Sequence, residues 1–248
     1  MAFVKTADEV KQISAVLQAP RFTNAQRGYL TFRSDPDFIA EVLPPGLEPG
    51  AEPLITVTVG EFGSNCVGDF LGATISLAAR HGQTDGATDG AYVLTMFMST
   101  DHAIIFGREL FGEPKKHAEI SLNMIGHQFR GTVNRLGVRL VDLSISLGDD
   151  SGPARSQANS FNIKAQPAAN GIGLEADAVI TLAAFTNDLS VNRAGQGTLI
   201  LGGGIHDPLT DIPINEIVAA GYVEGDLSAS VSVIDTIPAE VFLPYAYG

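Results

Sequence analysis

Gly107-Arg108-Glu109-Leu110-Phe111-Gly112-Glu113-Pro114-Lys115-Lys116 sets two lysines side by side, directly after a proline. The stretches before it, Ala91 to Met98 and Ala103 to Phe106, are apolar enough to run through a core. Pro114 fixes its own φ and biases Glu113 toward extended geometry, so the lysines sit on a stiff connection. Most Lys-Lys pairs are solvated surface. This one has a second chemical use. One ammonium beside another favours the neutral amine in its neighbour, and apolar surroundings favour it further. A neutral lysine amine attacks a ketone and forms a Schiff base.

The bulk properties narrow the setting. The chain has 248 residues, 45% apolar and 17% charged, which suits one large globular domain spanning 1–248. Twenty-seven glycines and 13 prolines read as many short strands joined by turns. A formal net charge of −13 argues against nucleic acid and against anionic membranes as partners. An anionic substrate then needs local cations around its pocket. Cys66 is the single cysteine, so no disulfide framework exists, and it reads as a small buried residue. Residues Met1 to Val10 carry Lys5, Asp8 and Glu9 without an apolar core, and no run reaches the length of a membrane span. A soluble, cytoplasmic protein is expected. The five histidines show no metal-ligand spacing, so no metal and no cofactor are expected.

Along the chain, Thr6 to Ile13 and Asp35 to Leu43 read as short helices, the first with a capping box and the second with Pro36 in its first turn. Strands are expected at Tyr29–Phe32, Leu54–Val59, Val67–Ala79 and Ala91–Met98. The polar stretch Gly82 to Gly90 reads as an exposed hairpin tip. Asp101 to Glu109 is expected as a strand or short helix. A hairpin is expected over Phe129 to Gly148, and further strands at Ser160–Ile163, Leu174–Phe185 and Thr198–Leu201. Gly202-Gly203-Gly204 reads as a turn, Ile214 to Ala220 as a short helix, and Leu227 to Phe242 as a closing strand pair. The sum is an α+β, mainly antiparallel fold, a barrel or sandwich with a few short helices.

Gly107-Arg108-Glu109 and, four residues on, Pro114-Lys115-Lys116 resemble the hallmark of the acetoacetate decarboxylase family. Phe32-Arg33-Ser34-Asp35, Gly131-Thr132-Val133, Asn159 to Pro167 and Asp207-Pro208-Leu209…Ile212-Pro213-Ile214 resemble other segments of it. The resemblance implies a barrel-like fold, a symmetric homo-oligomer, Lys115 as the Schiff-base lysine and Lys116 as the neighbour that keeps it deprotonated. It points to Arg27, with a two-residue gap, for the substrate carboxylate. The family's carboxylate run falls at Phe70-Leu71-Gly72, and of Met96 and Phe97, on the strand feeding the site, one lines the pocket and the other packs the core; Phe70, Gly72 and Met96 are the candidate substrate-binding positions. The sequence departs from the family where decarboxylases carry two carboxylates: Gly72 (or Ser76) and Thr58 stand there. Glu113 replaces an aromatic residue. In an extended segment it faces the same side as Lys115, as a candidate general acid or base; a surface glutamate or a partner of Lys116 are the plainer readings. The expected activity is a lyase acting on a small keto acid. Aldol-type condensation with pyruvate as donor and an aldehyde co-substrate is favoured. Decarboxylation of a β-keto acid and a non-catalytic ligand-binding barrel are the alternatives.

Overall fold

The structure is a computed structural model that describes residues 3–82 and 86–246. Gln83 to Asp85, in the expected hairpin tip, lie outside the described residues.

Twelve strands form one continuous sheet, and seven of them close on themselves. The closed ring runs β1 (Arg21–Arg33), β3 (Leu54–Ser64), β4 (Phe70–His81), β5 (Thr88–Met98), β10 (Ala154–Lys164), β11 (Ala178–Leu201) and β12 (Glu216–Ile237), and returns to β1. Strands β11 and β12, 24 and 22 residues long, outrun the barrel. The far half of β11 pairs with β9 (Val138–Asp150), which pairs with β8 (Gln128–Arg135) and then β7 (Glu119–Ile125). Two short strands complete the sheet: β2 (Leu47–Pro49) beside β4 and β6 (Lys115–His117) beside β5. The helices α1 (Ala7–Leu17), α2 (Pro36–Val42), α3 (Asp101–Phe106) and α4 (Ala239–Phe242) are all short. Among the described residues no helix is long and apolar enough to cross a membrane.

Alternation along the strands separates two environments. One set of side chains, including Leu30, Phe32, Val57, Val59 and Ile75, packs with Phe129, Val133, Leu143 and Ile145 of the outer strands into the main apolar core. The opposite set faces the barrel lumen. Arg27, Tyr29, Thr56 and Thr58 from β1 and β3 line one cavity together with Ser156 of β10 and Asn187 of β11. Strands that are not neighbours in the sheet can share a cavity this way only across the inside of the barrel.

Several expectations need correction. Ile214 to Ala220 is not a helix: from Glu216 onward it is strand. It lies between two partners, with Ile217 opposite Phe32 and Ala220 opposite both Leu30 and Gly195. Residues 216–219 pair with β1 on one edge and Ala220 with both neighbours, and that tertiary pairing outweighs local preference. Leu227 to Phe242 is not a strand pair but the end of β12 followed by α4. Of the two alternatives for Asp101 to Glu109, the short helix is the one found: α3 runs into a π-helical turn over Gly107–Phe111. Strands β1 and β10 are far longer than expected, and β7 was not anticipated.

Gly28 and Gly131 show why some glycines resist reading from sequence. A Cβ on Gly28 would overlap the ring of Phe129, which lies flat on β1 there. Gly28→Ala is therefore expected to destabilise the protein by about 1–3 kcal/mol through overpacking, read as a lowered urea midpoint with an unchanged slope.

Candidate functional site

The segment between α3 and β6 builds the site. Thr100 caps α3 by accepting from the Ala103 N–H. The π-turn ends at Gly112, whose φ of +74° is left-handed and suits glycine. A Cβ there would also strike the Lys164 backbone at 2.5 Å. The Phe111 carbonyl accepts from the buried Thr181 hydroxyl at 2.7 Å, which ties the turn to β11. The chain then enters β6, which pairs in parallel with β5, Met96 opposite Lys115.

Pairing places Lys115 at the end of one cross-strand row: Tyr29, Thr58, Thr74, Met96, Lys115. Directly opposed residues share a face, so this row lies on the lumen side. Lys115 is 7% exposed, and its Nζ lies 2.7 Å from Glu113 Oε2, with Glu113 15% exposed. Nζ also lies 6.0 Å from the centroid of the Phe70 ring. The cavity around the pair, ≈ 380 Å³ including its open part, is otherwise lined by apolar groups such as Phe22, Phe70, Phe111 and Phe185. Among the described residues Glu113 is the only carboxylate on its wall. Gly107, the first residue of the quoted stretch, has a steric reason to be glycine. A Cβ there would lie 2.6 Å from Lys115 Nζ and overlap the Glu113 carboxylate.

Lys116 is not beside its neighbour's amine, which corrects the expectation of a lysine pair. Successive residues of a strand point to opposite faces. The Lys116 ammonium donates to the His206 carbonyl at 3.1 Å and to Asp207 Oδ1 at 3.2 Å. Asp207 is buried, and its other oxygen accepts from Arg135 Nε at 3.0 Å. The carbonyls of Lys115 and His117 lie on the edge of β6 away from β5. Arginines cover them: Arg108 donates to Lys115 O at 3.2 Å, and Arg135 to His117 O at 2.7 Å. Sequence reasoning missed Arg108, Arg135 and Asp207 as site-building residues. The one available signal was that Arg108 and Asp207 fall within the motif segments.

The remaining predicted positions divide. Phe70 lines the Lys115 cavity. Met96 packs against Phe70 and Met98 in a small apolar cluster and is not on the cavity wall. Gly72 keeps space for Met98 and Phe70, both 3.3 Å from where its Cβ would stand. Thr58, Gly72 and Ser76 are on lumen-facing registers, so no acid replaces the missing carboxylates there. Arg27 faces the lumen but lines a different cavity, with no wall residue in common. Its terminal nitrogen donates to Asn187 Oδ1 at 3.3 Å, and its Nε is buried without a partner. Burial pulls its guanidinium down to about 10. It forms no ion pair among the described residues. Among the described residues no group of three or more His, Cys, Asp or Glu is placed to hold a metal ion.

Comparison with known proteins agrees with this architecture. The family model for acetoacetate decarboxylase (ADC) matches residues 6–236. An acetoacetate decarboxylase of Burkholderia lata is 26% identical over 222 residues, covering 86% of this chain and 87% of that protein. The crystal structure of acetoacetate decarboxylase from Legionella pneumophila superposes with a TM-score of 0.77 at 20% identity, over 88% of this chain and 87% of that one. The enduracididine biosynthesis enzyme MppR, complexed with the condensation product of pyruvate and imidazole 4-carboxaldehyde, gives a TM-score of 0.69 at 18% identity, over 86% and 88%.

Asp207→Asn leaves Lys116 and Arg135 without their shared anion. It is expected to cost about 2 kcal/mol of stability, measured by urea unfolding. Gly107→Ala is expected to separate Lys115 from Glu113 and slow borohydride trapping of a keto acid on Lys115 by about 10²-fold, with the circular dichroism spectrum unchanged.

Proposed function

The chain belongs to the acetoacetate decarboxylase family, and from that premise we propose that it is a Schiff-base lyase joining or cleaving a small 2-keto acid at Lys115 by aldol-type chemistry. One observation carries the reading: Glu113 touches the Lys115 amine at 2.7 Å in an otherwise apolar cavity.

The steps follow from that pair. The ammonium gives its proton to Glu113, and the neutral amine attacks the ketone carbon of pyruvate. Loss of water leaves an iminium, which draws electrons from the adjacent carbon. Glu113, deprotonated again, removes a proton from the substrate methyl group, and an enamine results. The enamine carbon bonds to an aldehyde carbon, and the new alkoxide takes its proton from Glu113. Water hydrolyses the iminium, releases the hydroxy keto acid and restores the amine. One carboxylate within reach of the amine serves every transfer. Arg27, a desolvated cation without a carboxylate partner, is the lumen group suited to drawing an anionic substrate into a protein of net charge −13. Lys116 has no contact with the reaction in this scheme.

A second reading, decarboxylation of a β-keto acid, is favoured by the relatives that carry that name, such as the Burkholderia lata protein. The same iminium accepts the electrons left by departing carbon dioxide. The MppR complex, with pyruvate already condensed to an aldehyde, makes the aldol branch a chemistry this fold accommodates.

Reduction with borohydride in the presence of pyruvate or acetoacetate, followed by peptide mass spectrometry, tests the reading. A pyruvate-sized adduct on Lys115 is expected; no adduct with either compound sinks Schiff-base chemistry on these substrates. An acetone-sized adduct from acetoacetate favours the second branch. Glu113→Gln is expected to lower aldol turnover by about 10²–10⁴-fold and to slow trapping of the imine on Lys115 as Gly107→Ala does, without abolishing it.

A further inference from the structure

The Lys115 cavity is walled by aromatic rings. Phe22 of β1, Phe70 of β4, Phe106 of α3, Phe111 of the π-turn and Phe185 of β11 all line it, together with small aliphatic groups such as Val231. Two pairs of rings meet edge to face: Phe22 with Phe70 at 6.4 Å and Phe106 with Phe111 at 5.1 Å between centroids. Phe70 is further stacked on Phe62 at 5.2 Å. Phe70 is buried, whereas the other four lining rings are only partly so, which leaves ring surface for a ligand. The Phe70 centroid lies 6.0 Å from Lys115 Nζ, so a ligand held beside the amine is within reach of aromatic contacts.

The polar inventory of the same wall is short. Among the described residues, Lys115 and Glu113 are its only side chains with a charge or a hydrogen-bonding group. The iminium at Lys115 is one positive charge, and the keto acid's own carboxylate matches it. A second carboxylate, on the aldehyde, would lie near Glu113 in apolar surroundings with no counter-charge, which is costly. A ring N–H or hydroxyl on the aldehyde would find no acceptor except Glu113, and would occupy the group that moves the protons.

We propose that the second substrate is an uncharged aryl aldehyde without polar ring atoms, bound in this same cavity with its ring among Phe22, Phe106, Phe111 and Phe185. This rests on the aldol reading of Lys115. Both reactants share one space. The enamine carbon of the keto acid bonds to the aldehyde carbon, the π electrons of the aldehyde carbonyl move to its oxygen, and that oxygen takes the proton from Glu113. Water then hydrolyses the iminium, which frees the hydroxy keto acid and the amine.

The test is steady-state turnover of pyruvate with four aldehydes: benzaldehyde, its charged counterpart 4-carboxybenzaldehyde, the polar-ring imidazole-4-carboxaldehyde and the saturated cyclohexanecarboxaldehyde. For the native protein, kcat/KM with benzaldehyde is expected to exceed that with either polar aldehyde by at least about tenfold, the cost of one uncompensated polar group. Phe22→Leu and Phe185→Leu keep the wall apolar and each remove one ring. Each is expected to lower kcat/KM for benzaldehyde about threefold or more through KM, with a smaller change for the saturated ring. No turnover of benzaldehyde, a charged aldehyde used equally well, or variants that affect both rings alike, while pyruvate still traps on Lys115, overturns the aromatic assignment alone. Absence of any pyruvate adduct overturns the aldol reading instead. In that case calorimetric titration of benzyl alcohol and of benzoate into the native protein and Phe22→Leu decides the cavity. Binding of the uncharged arene that weakens with Phe22→Leu supports the assignment, and no such binding, or tighter binding of benzoate, sinks it.

Discussion

Strand alternation at β6 is the constraint on which the site depends. Two neighbouring lysines cannot share a face of an extended chain, so one enters the lumen and the other leaves it. Asp207 settles which is which. A buried carboxylate needs counter-charges, and it takes them from Lys116 and Arg135 on the side away from Lys115. With Lys116 anchored there, Lys115 has only the lumen to occupy. The strand itself is three residues long and paired on one edge only. Arg108 and Arg135 stand where a second partner strand would be, donating to its outward carbonyls.

The barrel supplies what this anchoring needs on the inner side. Its lumen is apolar near Lys115 and hydroxyl-lined near Arg27. Both surfaces come from the lumen side of β1, β3, β4, β10, β11 and β12, with bulges in β1 after Phe22 and in β11 after Leu189 shifting which residues face inward. The outer parity forms the main core against β7, β8 and β9. Closing the ring requires long strands that can pair on both sides, which is why β11 and β12 serve the barrel with one half and the outer sheet with the other. A decarboxylase-type site with additional acids would need carboxylates at Thr58, Gly72 or Ser76. Those positions face the lumen without a carboxylate, and the one beside Lys115 comes from the incoming segment, at Glu113.

Much of the site was legible because its residues are contiguous. Glu113, Pro114 and Lys115 are neighbours in sequence, and the period of an extended chain is enough to put Glu113 and Lys115 on one side. Gly107, eight positions before Lys115, entered only as part of a motif; its steric role needs the folded turn. Arg27 was legible as a candidate but not as a separate cavity, since the distance between two lumen walls depends on closure. The helix expected at Ile214 to Ala220 failed for a related reason. Its local pattern is ambiguous, and pairing with β1, from the remote start of the chain, decides it.

By itself the sequence determined the chemistry on offer: an acid two residues before a lysine on a stiff extended segment, histidines without metal-ligand spacing, a strand-rich chain and a net charge of −13. These are properties of composition and short-range spacing, which the backbone geometry of a few residues transmits directly. Only the tertiary structure decided which lysine faces the lumen, what holds the other, and which aromatic rings surround the first. Those outcomes rest on Asp207, Arg135, Thr181 and the closure of seven strands, contacts between residues far apart in the chain that no local period encodes.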